Sequence, residues 1–349
     1  MTRPLRIAQV APVATSVPPP RSGSIELFTS QLTEGLVARG HAVTLFAAGH
    51  STTRATLHAS FPRGYREDTA MWPWELSELM NLSAAFERAG EFELIHCQSE
   101  YYPMSLAFGR LVTTPVVHTV HYAPADDEIA MWRQYPEAPF VAVSRHQAQR
   151  LAGLRVAGTV PHGVDTAALP FRETPDDYLL FLGRFTEGKG VREAIDVAKD
   201  AGLPLRLAAA VNDYYREVVA PLVDGRAVIY VGEVSARDKA ALLGGARALL
   251  YPVQQAEAFG LVLAEAMACG TPVAALDTGA VAEVVAHGVS GGVFASLAAM
   301  KAGLQGVLAL DRRAVRRFAV ERFELARMVE AYETIYRQVV RDSGPGAPR

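Results

Sequence analysis

The sequence predicts an α/β protein of two doubly wound domains, each a parallel sheet covered on both faces by helices, the two facing a cleft. Three observations predict it. Short apolar runs alternate with stretches of helical period along the chain, the pattern of repeated βα units. That alternation lapses once, between Gly163 and Asp177, and then restarts. The length, 349 residues, suits two ordinary domains.

The elements follow in order. Leu5 to Val10 is an apolar strand, and Ile25 to Arg39 an amphipathic helix closed by Gly40-His41. Ala42 to Ala47 is the next strand. Leu94 to His96, Val116 to His118 and Phe140 to Val143 are apolar runs of strand length. Ser144 stands at an N-cap before a helix to about Leu154, and Val156 to Val160 closes the first set. The proline-containing stretch from Gly163 to Asp177 reads as a linker, with the domain boundary placed at residue 165. Tyr178 to Leu182 and Leu205 to Ala209 are strands flanking a helix from Val191 to Ala201. Ala227 to Val231 is another strand, and Ser235-x-x-Asp238 caps a helix to about Leu243. Leu249 to Val253 is a buried strand; a helix opens near Phe259-Gly260 and stops at Cys269-Gly270, before a run from Pro272. Val281 to Ala286 is a short helix, and helices fill the chain from Leu297, the second domain ending at 324 and a last helix running from Leu325 to Val340. The tail from Ser343 is expected to be disordered.

Composition excludes several function classes. Half the residues are hydrophobic and a fifth charged, as in a globular protein, and a net charge of −3 offers no footprint for nucleic acid. Cys97 and Cys269 are the only cysteines. Two isolated cysteines in apolar contexts make neither a disulfide framework nor a cysteine zinc site, and fit a reducing cytoplasm. Met1 to Arg6 leads straight into a strand without an apolar leader, and no apolar run is long enough to cross a bilayer. Arg145, His146, Arg150 and Arg155 read as a solvated helix face, so membrane contact is expected to be peripheral at most. Oligomeric state is left open.

Doubly wound sheets bind ligands beyond the carboxyl ends of their strands, which directs attention to three loops. Pro18 to Glu26, after the first strand, is rich in small residues and opens a helix, but lacks the Gly-x-Gly-x-x-Gly spacing of a dinucleotide site. Gly183-Arg184-Phe185-Thr186-Glu187-Gly188-Lys189-Gly190 places two cations among glycines just before a helix, suited to phosphate. Glu257-x7-Glu265 flanks a helix start on a βαβ unit. Glu265 sits among apolar residues all round that helix, where a lone carboxylate is costly without a partner.

These motifs together resemble glycosyltransferase family 4: Gly183-Arg184-x4-Lys189-Gly190, Glu257-x-Phe259-Gly260-Leu261-x3-Glu265, and Gly279-x3-Glu283 in the second half, with Gly23-x2-Glu26, Thr119-x-His121 and Pro161-His162-Gly163 in the first. The resemblance implies the GT-B fold of two Rossmann-like domains, with the final helix packing back on the first. It implies a retaining, metal-independent transfer of a hexose from a UDP- or GDP-sugar to a hydroxyl acceptor, with no cofactor beyond that co-substrate. Arg184 and Lys189, with Gly183, would hold the donor diphosphate and Glu257 the hydroxyls of its sugar. The amides of Phe259, Gly260 and Leu261 would surround sugar and phosphate, and Glu265 would accept from the ribose. Backbone at Val231, Gly232 and Glu233 would meet the base; Gly23 would approach the diphosphate, and His121 would lie across the cleft beside the reacting sugar, with His118 as its competitor. The chain departs from the family at Ser22-Gly23-Ser24, at Ala258, and at Ala210-Val211-Asn212, where a lysine or glycine is frequent. Aromatics at Phe61, Tyr65, Trp72 and Trp74, and the segment Tyr122 to Tyr135, are acceptor-site candidates. A glycoside phosphorylase on the same fold and a non-catalytic two-lobed sugar-binding protein are the alternatives.

Overall fold

The computed structural model describes residues 3–68, 73–99 and 102–343; Trp72 and the tail from 344 to 349 lie outside them. The chain divides into two compact units, Met1–His162 with Leu325–Arg349, and Gly163–Glu324.

Among the described residues, unit 1 holds seven parallel strands: β1 (Arg6–Val10), β2 (Ala42–Phe46), β3 (Thr56–His58), β4 (Leu94–Cys97), β5 (Val116–Thr119), β6 (Pro139–Ala142) and β7 (Arg155–Thr159), in the order β3-β2-β1-β4-β5-β6-β7. Its helices are α1 (Ser24–Ala38), α2 (Trp74–Glu87), α3 (Tyr102–Gly109), α4 (Asp126–Trp132) and α5 (Arg145–Arg150). Unit 2 holds six: β8 (Leu179–Leu182), β9 (Leu205–Ala208), β10 (Val228–Gly232), β11 (Ala248–Tyr251), β12 (Val273–Leu276) and β13 (Gly291–Phe294), in the order β10-β9-β8-β11-β12-β13. It is covered by α6 (Val191–Ala201), α7 (Ala236–Gly245), α8 (Leu261–Ala268), α9 (Val281–Val284), α10 (Leu297–Leu308) and α11 (Arg312–Phe323). The last helix, α12 (Leu325–Asp342), returns to unit 1.

Burial explains the patterns. Strands β4, β5 and β6 are buried along their whole length because helices cover both faces of the sheet: Phe28, Leu32 and Leu36 of α1 meet Val329, Tyr332 and Tyr336 of α12 over one face, and Leu82 and Phe86 of α2 pack with Ile95 over the other. Gly35 lets α1 and α12 close up, since a Cβ there would stand 2.4 Å from Val329 Cγ2. In unit 2, Phe181, Val191, Ile195, Leu205, Leu250 and Leu304 form the corresponding core. Strand order reverses at β1/β4 and again at β8/β11, so crevices open at the carboxyl ends of those pairs.

Several expectations are corrected. The sequence reading missed β3, β13 and helices α2 to α4. The helix capped by Ser144, whose Oγ accepts from Gln147 N at 3.1 Å, ends at Arg150 rather than near Leu154. The stretch from Gly163 to Asp177 is not a free linker. Leu169 is buried, Arg316 Nη1 donates to Leu169 O at 2.7 Å, and Arg312 Nε donates to Arg172 O at 2.8 Å. Two α11 arginines thereby find backbone acceptors and bind this stretch to unit 2. Among the described residues, no helix is long and apolar enough to cross a membrane.

Candidate functional site

In unit 2 the loops leaving β8 and β11 are neighbours, because those strands pair. Their backbones interlock. Gln254 N donates to Gly188 O at 2.9 Å, and a Cβ at Gly190, whose φ is +73°, would stand 2.0 Å from Pro252 O. The loop after β12 joins them: Ala280 N donates to Glu257 O at 2.9 Å, and a Cβ on Gly279 would stand 2.3 Å from that same oxygen. Glycine is therefore required where three strand-end loops meet around Glu257.

Its side chain is just as constrained. Lys189 Nζ donates to Glu257 Oε2 at 2.8 Å, and the Tyr251 hydroxyl donates to the same oxygen. Burial alone would raise the Glu257 pKa; the lysine charge and these two bonds outweigh it and hold the carboxyl below its ordinary value. Burial, reinforced by the Glu257 charge, pushes Tyr251 well up. Arg184 differs from Lys189: it is exposed and makes no hydrogen bond or ion pair among the described residues. The carbonyl of its neighbour Phe185 accepts from Asn212 Nδ2 at 2.8 Å, so the unfamiliar residue after β9 holds the cationic loop. Gly183 has room for a Cβ, with only the Phe181 ring at 4.0 Å.

Gly260, at φ +80°, caps α8, its carbonyl accepting from Leu263 N at 2.9 Å. Phe259 and Leu261 flank that cap, with Phe259 set edge-on against Phe323 at 5.7 Å. The buried Glu265 is paired: Lys239 Nζ of α7 lies 2.5 Å from its Oε1. Its partner is a lysine rather than an arginine or a backbone group. Val231 and Gly232 end β10, where the register with β9 shifts, and Glu233 follows directly. Val231 and Glu233 border a pocket of about 460 Å³ that also takes in Val234, Asp238 and Leu242.

Gly23 and His121 belong to unit 1. Gly23, at φ +154°, is the N-cap of α1, and a Cβ there would stand 2.8 Å from Glu26 Oε2 and from Pro19 Cβ. Glu26 itself is buried, which raises its pKa. His121, just past β5, sets Nε2 2.9 Å from Gln98 Oε1. It stacks on His162 at 5.6 Å and meets the Phe28 ring edge-on at 4.8 Å. Burial, then the nearby His162 and His96, lowers its pKa well below the usual value. His118 is buried beneath Phe140, its pKa lowered by burial to about 4. Of the acceptor-segment aromatics, Trp132 is core, stacked on Phe140 at 5.4 Å, whereas Trp74 is exposed. Among the described residues no group of three or more His, Cys, Asp or Glu could hold a metal ion.

Sequence reasoning singled out neither Lys239, Tyr251 and Gln98 nor a role for His162. The buried setting of Glu265 demanded a partner, but no local pattern pointed to Lys239.

The family described as "Glycosyltransferase Family 4" matches residues 25–168 and "Glycosyl transferases group 1" matches residues 169–316. The chain is similar to the phosphatidyl-myo-inositol mannosyltransferase of Mycobacterium tuberculosis, 27% identical over 82% of each chain. Among solved structures it superposes on AviGT4, a glycosyltransferase involved in Avilamycin A biosynthesis, with TM-score 0.73 and 24% identity over 97% of this chain and 98% of that one. It also superposes on Anabaena HepE in complex with UDP and glucose, with TM-score 0.73 and 15% identity over 96% of this chain and 100% of that one.

Proposed function

This chain belongs to the glycosyltransferases of the group 1 and family 4 type, with the GT-B fold, and from that premise we propose that it is a retaining hexosyltransferase. The donor is a nucleoside-diphosphate hexose and the acceptor a hydroxyl group. The observation that carries this reading is the paired cation and carboxylate, Lys189 and Glu257, held at the meeting of three glycine-bearing loops beside the uncommitted Arg184.

Breaking the bond from anomeric carbon to phosphate leaves positive charge on the sugar and negative charge on the departing diphosphate. Arg184 supplies a guanidinium with no partner to release among the described residues, and Lys189 a second cation already fixed in direction. Preorganised donors of this kind contribute a few kcal/mol each to stabilising developing charge, so the reaction has no need of a metal. As Lys189 turns to the diphosphate, Glu257 is freed to accept from sugar hydroxyls, with Tyr251 still holding one carboxylate oxygen. Glu265, released in the same way from Lys239, accepts from the ribose. The donor phosphate takes the acceptor's proton as the acceptor attacks from the face that the diphosphate leaves, which retains the anomeric configuration.

A thermal-shift panel of UDP, GDP, ADP and free hexoses, followed by turnover of the corresponding nucleotide sugars, tests the reading. Stabilisation by a nucleoside diphosphate and release of that nucleotide from its sugar are expected. A response to inorganic phosphate and free sugar without one to any nucleotide would overturn it.

A further inference from the structure

Unit 1 buries a polar network that its fold does not require. Gln9 of β1, His96 of β4, Gln98 just beyond β4, Thr119 of β5, and Tyr332 and Tyr336 of α12 are all fully buried. Polar groups so placed weaken a core unless each is bonded. Here they bond to one another. Gln9 Nε2 donates to the Tyr336 hydroxyl at 2.9 Å, and that hydroxyl lies 2.5 Å from His96 Nδ1. Gln98 Nε2 lies 2.8 Å from His96 Nδ1 and 3.0 Å from His96 Nε2, and donates to Gln9 Oε1 at 3.2 Å. With Nδ1 accepting, His96 carries its proton on Nε2, which faces Thr119 Oγ1 at 2.7 Å. The Thr119 hydroxyl in turn lies 2.9 Å from that of Tyr332.

This arrangement dictates which way Gln98 points. Its amide nitrogen is committed to His96 and Gln9, so its oxygen faces His121, 2.9 Å from Nε2. An amide oxygen can only accept. We propose that Gln98, held by His96 and Gln9, both of which the Tyr336 hydroxyl of the C-terminal helix bonds in turn, is a positioning residue that fixes His121 as the Nε2–H tautomer and leaves Nδ1 as an acceptor for a substrate hydroxyl. The substrate contact rests on the reading of His121 as a group beside the reacting sugar. Which ring nitrogen acts is set by the bond that the other makes. The rings against it are Phe28 and His162, and the charged neighbours that bear on its titration among the described residues are His162 and, behind Gln98, His96. None is a carboxylate, so nothing in this set favours the imidazolium, in keeping with the lowered pKa of His121.

The test uses the full chain with 15N-labelled histidine, the His121 signals being identified by their loss in His121→Ala. The wild type should show the Nε2–H tautomer at His121, and Gln98→Leu a mixture of tautomers. With UDP-glucose and GDP-mannose as donor probes, kcat should fall about 10-fold in Gln98→Leu and about threefold in Tyr336→Phe, with donor KM changed by less than about twofold. Gln98→Glu keeps the shape and adds a carboxylate that favours protonated His121. Its activity should therefore be lost at a higher pH than in the wild type as pH falls. Should Gln98→Leu fail to fold, Tyr336→Phe and Gln98→Glu, which conserve volume, still decide the matter. An unchanged His121 tautomer together with unchanged kcat and pH profile in folded variants would overturn the proposal. Wild-type turnover by His121→Ala would instead remove His121 from the substrate site, and the tautomer measurement would then decide the positioning role by itself.

Discussion

Arg184 and Lys189 share a loop and a charge, yet their surroundings differ, and so should the consequences of losing them. Arg184→Ala removes an exposed side chain without a partner among the described residues. Turnover should fall by about 100-fold while Tm stays unchanged. Lys189→Ala also strips the counter-ion from a largely buried Glu257, so turnover and stability should fall together, the latter by roughly 1–3 kcal/mol. Calorimetric scans of the two variants compare the environments directly; an equal loss of Tm in both would contradict the difference described. The two acids separate in a similar way. Glu265→Gln should weaken UDP and GDP binding, because the ribose loses a charged acceptor. Glu257→Gln should leave nucleoside diphosphate affinity at least intact, since Lys189 is released from competition, while slowing sugar transfer. Titration calorimetry showing the opposite ranking would mean that the roles are exchanged. Arg184, Lys189, Glu257 and Glu265 were legible because glycines and apolar neighbours isolate them in the sequence. Lys239 was not: between Arg237-Asp238 and Ala240 it looks like any solvated residue in a first helical turn, and its carboxylate stands 26 residues away. Tyr336 meets His96 only through the fold, across 240 residues, and Gln98 meets His121 across 23.

At the scale of elements, legibility followed length and side-chain burial. The apolar strands and the amphipathic α1, α6 and α12 were plain from period alone. Strand β13 was not, because Gly-Gly-Val-Phe carries too few apolar side chains to register. Its glycine is a packing requirement, as a Cβ on Gly291 would stand 2.3 Å from Val273 O. Strand β3 is a three-residue edge with a polar sequence. The α11 arginines that bind the 163–177 stretch were invisible for another reason: their acceptors are carbonyls, which no side-chain pattern reports. One element carries a pH signature. Glu333 of α12 takes Arg39, the C-cap of α1, at 2.5 Å and Arg337 at 2.7 Å. Burial alone would raise its pKa, but these arginines outweigh burial and hold it at about 2. The ordinary value being 4.5, the contribution to α1–α12 docking is complete above pH ~4.5 and is lost as pH falls toward ~2. Glu333→Gln should therefore lower stability at pH 7 by on the order of 2 kcal/mol and flatten the acid limb of the stability profile. An unaltered acid limb in chemical denaturation would argue against this pair as the pH-sensitive tie.

At the scale of the whole molecule, the return of the chain makes the C-terminus part of the N-terminal unit. Met328, Val329, Tyr332, Ile335, Tyr336 and Val339 are all buried in the unit 1 core. A buried apolar side chain of this size contributes about 1.5–3 kcal/mol, so six together rival the ~5–15 kcal/mol net stability of an entire domain. Removing α12 would also leave Gln9, His96 and Thr119 without their tyrosine hydroxyls, a further penalty for polar groups already out of water. Unit 2 closes its own sheet and core between Gly163 and Glu324, and none of the side chains assigned to the donor lies after Glu265. A chain ending at Glu324 should accordingly lose transfer activity, and unit 1 should show rapid amide exchange, while unit 2 stays protected and still binds the nucleoside diphosphate. Hydrogen exchange resolved by peptide, with and without the nucleotide that stabilises the full-length chain, separates the two units. Protection of unit 1 surviving the deletion would show that α12 is an accessory to its core, and loss of protection throughout unit 2 would show that the two units do not fold independently.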